Sequence, residues 1–267
     1  MSDKLFLTLE NQCTNLKNNK SIVISDAEKA ENILLETNYF NLISCSKVKF
    51  AKGLSVNGDH IYAESPFEEW VSYFDKDCKV SEYLMQNMIR LERSLNSRLA
   101  YYLSELIESE ILLEDEFENL KRVIQGENSF TRNPYNGKLT WIFISKKTFG
   151  ELRHILKYLF KNGYRDVVFK VVDGYSFLEN HPLKRIDELV NLRNSIFHFR
   201  LLSIYLVHGK FSCNFSQYNL RKKIVEEVFF QNPCVNTKPL MIEIFNSAKV
   251  FIGIKKTAEL HRLKLIK

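Results

Sequence analysis

Residues 80–107 read VSEYLMQNMIRLERSLNSRLAYYLSELI, and this stretch decides the fold class. Tyr83, Leu84, Met88, Leu91, Leu95, Leu99, Tyr102, Leu103, Leu106 and Ile107 recur at intervals of three and four, the spacing of one helix face. A helix of this length, about 45 Å at 1.5 Å per residue, cannot cover its own apolar stripe. It needs neighbours along its whole length, so the expected architecture is a mainly α bundle built on long central helices.

Working outward, the order Ser65-Pro66-Phe67-Glu68 places a cap residue, a first-turn proline and a reciprocal glutamate together, which predicts a separate helix from 66 to about 75. Ser25 followed by Glu28 predicts another capping box, with Ala30, Ile33 and Leu34 continuing toward Asn38. Tyr39 to Ile43 reads either as a short second helix or as a packed connection. The glycines and Asn57-Gly58-Asp59 within 52–62 mark a loop or small hairpin.

Downstream, Phe117 to Ile124 suggests a short helix and Gly126 to Gly137 a loop, while Leu139 to Ile144 has strand propensity. Thr148-Phe149-Gly150-Glu151 is a capping box that opens a helix ended by Asn162-Gly163. Tyr164 to Val172 carries β-branched residues whose state the pattern leaves open. His181-Pro182 precedes a periodic run that predicts one helix over 182–208, the second member of the central pair. Leu220–Phe230 and Leu240–Ile254 read as helices separated by Asn232-Pro233. The expected organisation is an amino-terminal extension over 1–24, a main helical domain over 25–209 and a small basic helical extension over 210–267.

Composition excludes several classes. With 45% apolar, 13% aromatic and 26% charged residues, the chain has enough apolar surface to fold. No stretch has the length of a membrane span and the amino terminus lacks a secretory pattern, so a cytoplasmic protein without membrane partners is expected. The five cysteines, Cys13, Cys45, Cys78, Cys213 and Cys234, contain no Cys-x-x-Cys pair and read as reduced thiols. Neither a metal nor a cofactor is expected. The net charge of +6 is uneven: seven acidic residues and no basic ones fall in 105–118, whereas 249–267 holds six Lys or Arg against Glu259 alone. A polyanion would be steered toward the second segment.

The residues best suited to chemistry are Arg193, Asn194 and His198. Asn194 and His198 are four apart and share a helix face. Arg193 and His198 are separated by about 140° of rotation and ~7.5 Å of rise, so they border a site that a second helix or subunit must complete. A histidine near its ordinary pKa can move a proton at a ribose 2′-hydroxyl or a leaving 5′-oxygen, and a guanidinium can hold the phosphate oxygens. The competing reading is a surface or packing role. Arg221, Lys222, Lys223, Lys255 and Lys256 are candidate contacts to an RNA backbone, with a solvated charged face as the alternative.

Four ordered stretches carry a resemblance: Asn38 to Ile43; Phe74-Asp75 leading to Leu91-Glu92-Arg93 and Arg98-Leu99-Ala100; Trp141 with Thr148 to Leu152; and Leu192-Arg193-Asn194 with His198. Together they resemble the Abi-like abortive-infection family of bacterial phage-defence proteins, a branch of the HEPN superfamily of helical domains that includes many RNases. The resemblance implies a HEPN-like helical bundle and a metal-independent endoribonuclease, with Arg193, Asn194 and His198 as its motif. It also implies a homodimer pairing the motif helices, RNA as substrate, and an antitoxin protein or small inhibitory RNA as restraint. Glu92 and Arg98 would support the motif, the first by fixing Arg193 and the second by holding RNA; an intrahelical charge network is the alternative. The surroundings depart from the commoner family pattern at Phe197, Phe199 and Leu201, and Arg200 stands one position before the expected arginine. A non-catalytic RNA-binding or regulatory protein of the same fold is therefore the second expectation.

Overall fold

The computed structural model describes residues 7–55, 59–108, 119–120, 122–123, 144, 147–198, 201–207 and 214–265 of the 267-residue chain. Eleven helices and four short strands occur among the described residues, so the protein is a mainly α helical bundle. The expected loop at 126–137 and strand over most of 139–144 lie outside the described residues, as do Arg200, His208 and Cys213. The chain divides into two compact units, one made of 1–85 with 194–267 and the other of 86–193.

The first unit begins with α1 (Leu9–Lys20), capped by the Thr8 hydroxyl and ended by Ser21 in the left-handed conformation. Strand β1 (Ile22–Val23) pairs in parallel with β4 (Ser65–Pro66). Next comes α2 (Ala27–Thr37), whose cap is Asp26, its carboxylate accepting the Lys29 N–H at 3.0 Å. The Ser25 capping box is thus corrected. The Ser25 hydroxyl donates instead to Glu68 at 3.2 Å, because the adjacent aspartate is a ready acceptor for the first turn.

Helix α3 (Tyr39–Phe50) follows Asn38, which sits at φ 65° with its side chain accepting the Phe40 N–H. Of the two readings of 52–62, loop or small hairpin, the hairpin is present as β2 (Ala51–Leu54) and β3 (His60–Tyr62), antiparallel with a register irregularity between Ala51 and Gly53. Leu16, Ile22, Leu34, Leu42, Phe67 and Trp70 close one cluster of the core, and the Trp70 indole N–H is satisfied by the Ser65 hydroxyl at 2.9 Å.

A single helix, α4 (Phe67–Glu108), replaces the two helices expected over 66–75 and 80–108. Lys76-Asp77-Cys78-Lys79 contains neither glycine nor proline, so nothing local ends the hydrogen-bond ladder where the apolar periodicity lapses. The polar interruption is Asp77, which is fully buried.

Asp77 also explains a second correction. The helix expected over 182–208 is two elements, α8 (Pro182–Phe197) and α9 (Leu202–Val207). The Asp77 carboxylate accepts the backbone N–H of Leu202 at 2.8 Å and of Ser203 at 2.9 Å, and is further held by the Ser81 hydroxyl at 3.1 Å. A helix start leaves unpaired N–H groups, and an ionised acceptor at that end satisfies them and complements the helix dipole. The restart at Leu202 therefore has a partner that uninterrupted periodicity does not disclose.

The first unit is completed by α10 (Phe215–Phe230) and α11 (Lys238–Leu265). Met241, Ile244, Phe245, Ala248, Phe251 and Ile252 of α11 are buried, and this helix packs on α3, α9, α10 and β2.

In the second unit the later part of α4 is joined by α5 (Phe149–Lys161), α6 (Arg165–Val172), the short α7 (Ser176–Glu179) and α8 as far as Arg193. The Thr148 box is present in full: the Thr148 hydroxyl accepts the Glu151 N–H, and the Glu151 carboxylate accepts the Thr148 N–H at 2.8 Å. The β-branched run after Tyr164 is helical, with Val167, Val168, Val171 and Val172 buried on one side. Packing of that side outweighs the β-propensity of valine.

Candidate functional site

Helix α8 starts at a first-turn proline behind His181, whose backbone adopts φ 65° and whose carbonyl accepts the Arg185 N–H. Its buried residues, Ile186, Leu189, Val190, Leu192 and Ile196, fix the rotation of the helix. That rotation leaves Asn194 and His198 exposed and Arg193 half-buried. His198 follows the last helical residue, its N–H bonding to the Asn194 carbonyl at 3.1 Å, so the motif sits at a helix end instead of mid-helix. The imidazole lies edge-on to the half-exposed Phe197 ring, with centroids 5.5 Å apart.

Arg193 faces Glu92, Nε to Oε2 at 3.8 Å, with the two side chains 25% and 16% exposed. The other Glu92 oxygen accepts the Phe149 N–H at 2.6 Å. One carboxylate thus closes the amino end of α5 and holds the guanidinium of Arg193. This double use makes the pair more rigid than an exposed ion pair, because the glutamate is already fixed by a charge-assisted hydrogen bond. Glu92 and Arg193, named together in the sequence analysis, are thus in contact.

Arg98 is engaged elsewhere. Its guanidinium donates to the Asp173 carbonyl and lies over the Tyr175 ring, 5.1 Å from the centroid. Tyr175 in turn donates its hydroxyl to Ser94 at 2.7 Å. Gly174, between the two, takes φ 74°, a conformation that suits glycine and leaves the guanidinium clear. In this geometry the Arg98 guanidinium closes the turn between α6 and α7.

The five basic candidates separate into two groups. Arg221 donates to the Tyr205 carbonyl at 2.7 Å and lies over the Tyr205 ring. Lys222 pairs with Glu226 at 3.5 Å and lies over Phe245, and Lys255 lies over Phe251 at 5.0 Å. Their stems and charges are used in packing α10 and α11. Lys223 and Lys256 are exposed, the latter near the Phe215 ring.

Among the described residues no group of three or more His, Cys, Asp or Glu is placed to hold a metal ion, and no helix is long and apolar enough to cross a membrane. A separate cleft that holds Lys20 and Lys47 is lined by side chains from α1, α3 and β3, and the sequence analysis did not single it out because its walls come from separate elements. No protein-family model, curated protein or solved structure matches the chain.

Proposed function

We propose that the protein is a metal-independent endoribonuclease of a bacterial abortive-infection, phage-defence type, with a HEPN-like bundle as its scaffold. The observation that supports this reading is the exposed imidazole of His198 at the end of α8, one turn beyond exposed Asn194 and next in line to an Arg193 already held by Glu92. A histidine open to solvent can take up and release protons, and an arginine held by a neighbouring carboxylate can bind phosphate without first being ordered.

In the reaction, the ribose 2′-oxygen attacks the adjacent phosphorus and gives its proton to a histidine. The new 2′-oxygen–phosphorus bond forms as the phosphorus–5′-oxygen bond breaks, and a second acid protonates the departing 5′-oxygen. Arg193 stabilises the charge on the non-bridging oxygens, and Asn194 orients a phosphate oxygen or the imidazole. One histidine cannot serve as base and acid in the same step, so a second copy of the chain supplies the other through a two-fold pairing of α8 ends. Lys223 and Lys256 extend the contact along the RNA backbone. A protein or small-RNA inhibitor restrains the activity.

The test is cleavage of unstructured RNA in the presence of chelator. The purified protein should leave 2′,3′-cyclic phosphate ends, and His198→Ala should abolish cleavage while its thermal unfolding is unchanged. Full activity in that variant removes His198 from the mechanism. The alternative, a non-catalytic RNA-binding module, is favoured by Phe197, which stands half-exposed where the commoner family pattern has a small residue; it predicts RNA binding with no product.

A further inference from the structure

In the first unit, a cleft of about 650 Å³ opens between α1, the start of α3 and the β2–β3 hairpin. Among the described residues its lining includes Lys20, Lys47, Tyr39, Phe40, Tyr62 and His60, and no carboxylate. Lys20 stands over the Tyr62 ring, 5.2 Å from the centroid, and Phe40 is 60% exposed at the rim. Gln12, Asn15 and Asn38 add amide groups able to donate and accept hydrogen bonds.

The charge environment is independently visible at His60. Its pKa is lowered to about 4, first by burial and then by Lys47, Lys255 and Lys20. The imidazole therefore stays neutral and stacks on Phe251, with centroids 5.4 Å apart and planes 6° from parallel. The amino end of α3, a 12-residue helix, also reaches the cleft through Asn38, Tyr39 and Phe40, so its dipole adds to the positive field.

An anion alone would not need the aromatic side chains, and an apolar molecule would not need the lysines. The combination matches a flat ring joined to a phosphate. We propose that this cleft binds a ribonucleotide, its base against the aromatic side chains of Tyr39, Phe40 and Tyr62 and its phosphate between Lys20 and Lys47. The ligand is either a free nucleotide or one residue of a single-stranded RNA. The inference goes beyond the nuclease reading and does not depend on it, since binding here needs neither His198 nor cleavage.

Equilibrium titrations with AMP, UMP, adenosine, inorganic phosphate and a fluorescein-labelled single-stranded RNA decamer test it on the full chain carrying His198→Ala. A nucleotide should bind at least ~10-fold more tightly than adenosine or phosphate, because base and phosphate contacts add. Phe40→Ala and Lys47→Ala should each weaken binding roughly 10-fold, the size typical of one lost stacking or phosphate contact. Both side chains are at least partly exposed, and unchanged thermal unfolding will verify that the variants fold. Binding of AMP or UMP alone identifies a free nucleotide as the source. Binding of the decamer that is weakened by Phe40→Ala and Lys47→Ala identifies an RNA strand. Phosphate binding as tightly as AMP, affinity unchanged in both variants, or no binding of mononucleotide or decamer at millimolar concentration overturns the proposal. If nucleotide binds while the unsubstituted protein cleaves no RNA, the cleft stands and the nuclease reading fails.

Discussion

Replacing Asp77 with alanine should destabilise the first unit more than any surface change, and the geometry sets the size of the effect. The substitution removes the acceptor for two backbone N–H groups, at 2.8 and 2.9 Å, inside a site with no solvent exposure at Asp77. The Leu202 N–H keeps a second acceptor in the Ser81 hydroxyl at 3.2 Å, so the Ser203 N–H is the donor left without a partner, at about 1–3 kcal/mol. The Cys45 thiol and Ser81 hydroxyl also lose an acceptor, while relief from burying a carboxylate acts in the opposite direction. At about 2–4 °C per kcal/mol, melting followed by circular dichroism should fall by roughly 2–12 °C. A fall smaller than about 2 °C would mean that α9 does not depend on the carboxylate, and the account of the α8–α9 break would be refuted. Burial also raises the Asp77 pKa above the 3.8 of a free aspartate. The native state therefore holds this proton more tightly than the unfolded chain. The resulting stabilisation is complete below the unfolded value and is lost as pH rises through the native one, so this pH dependence should be absent in the alanine variant.

Two other perturbations separate local from distant effects. Glu92→Gln should lower stability by about 1–2 kcal/mol, because the acceptor for Phe149 becomes neutral, and should reduce RNA cleavage further by releasing Arg193; denaturant unfolding and single-turnover cleavage read the two effects separately. His60 titrates natively at about 4, below the 6.5 of a free histidine, so its contribution to stability is present above 6.5 and disappears as pH falls through 4. His60→Phe, which retains the ring facing Phe251, should remove that part of the acid sensitivity; identical acid unfolding curves for the two proteins would contradict it.

The helical class and the part of α4 from 80 onward were legible in the sequence because both follow from spacing along one element. The Thr148–Glu151 box was legible for the same reason, as donor and acceptor are three residues apart. Ser25 misled because two polar residues in succession compete for one cap, and Asp26 takes it. Asp77 concealed more: its polarity interrupts an apolar stripe without ending the helix, and its partners Leu202 and Ser203 lie far along the chain. The end of α8 at Phe197 was hidden likewise, since Leu201 and Ile204 continue the helical spacing beyond a break set by tertiary hydrogen bonding. Glu92 beside Arg193 was anticipated only through the family resemblance. The ring of Tyr175 under Arg98 was not anticipated, because an arginine's partner depends on which turn folds over it.

The discontinuous first unit has a consequence for synthesis on the ribosome. Residues 86–193 are contiguous and can assemble as soon as they emerge, whereas the earlier segment shares its unit with 194–267. Asp77 and the Leu202 N–H it accepts are 125 positions apart. At about 5–20 residues per second, the aspartate is made on the order of ten seconds before its partner. During that interval the nascent α4 carries an acidic group destined for the interior with nothing yet to receive it. Slow codons or a paused ribosome before position 202 would prolong this vulnerable state, making the yield of soluble protein sensitive to translation speed over a short and identifiable part of the message.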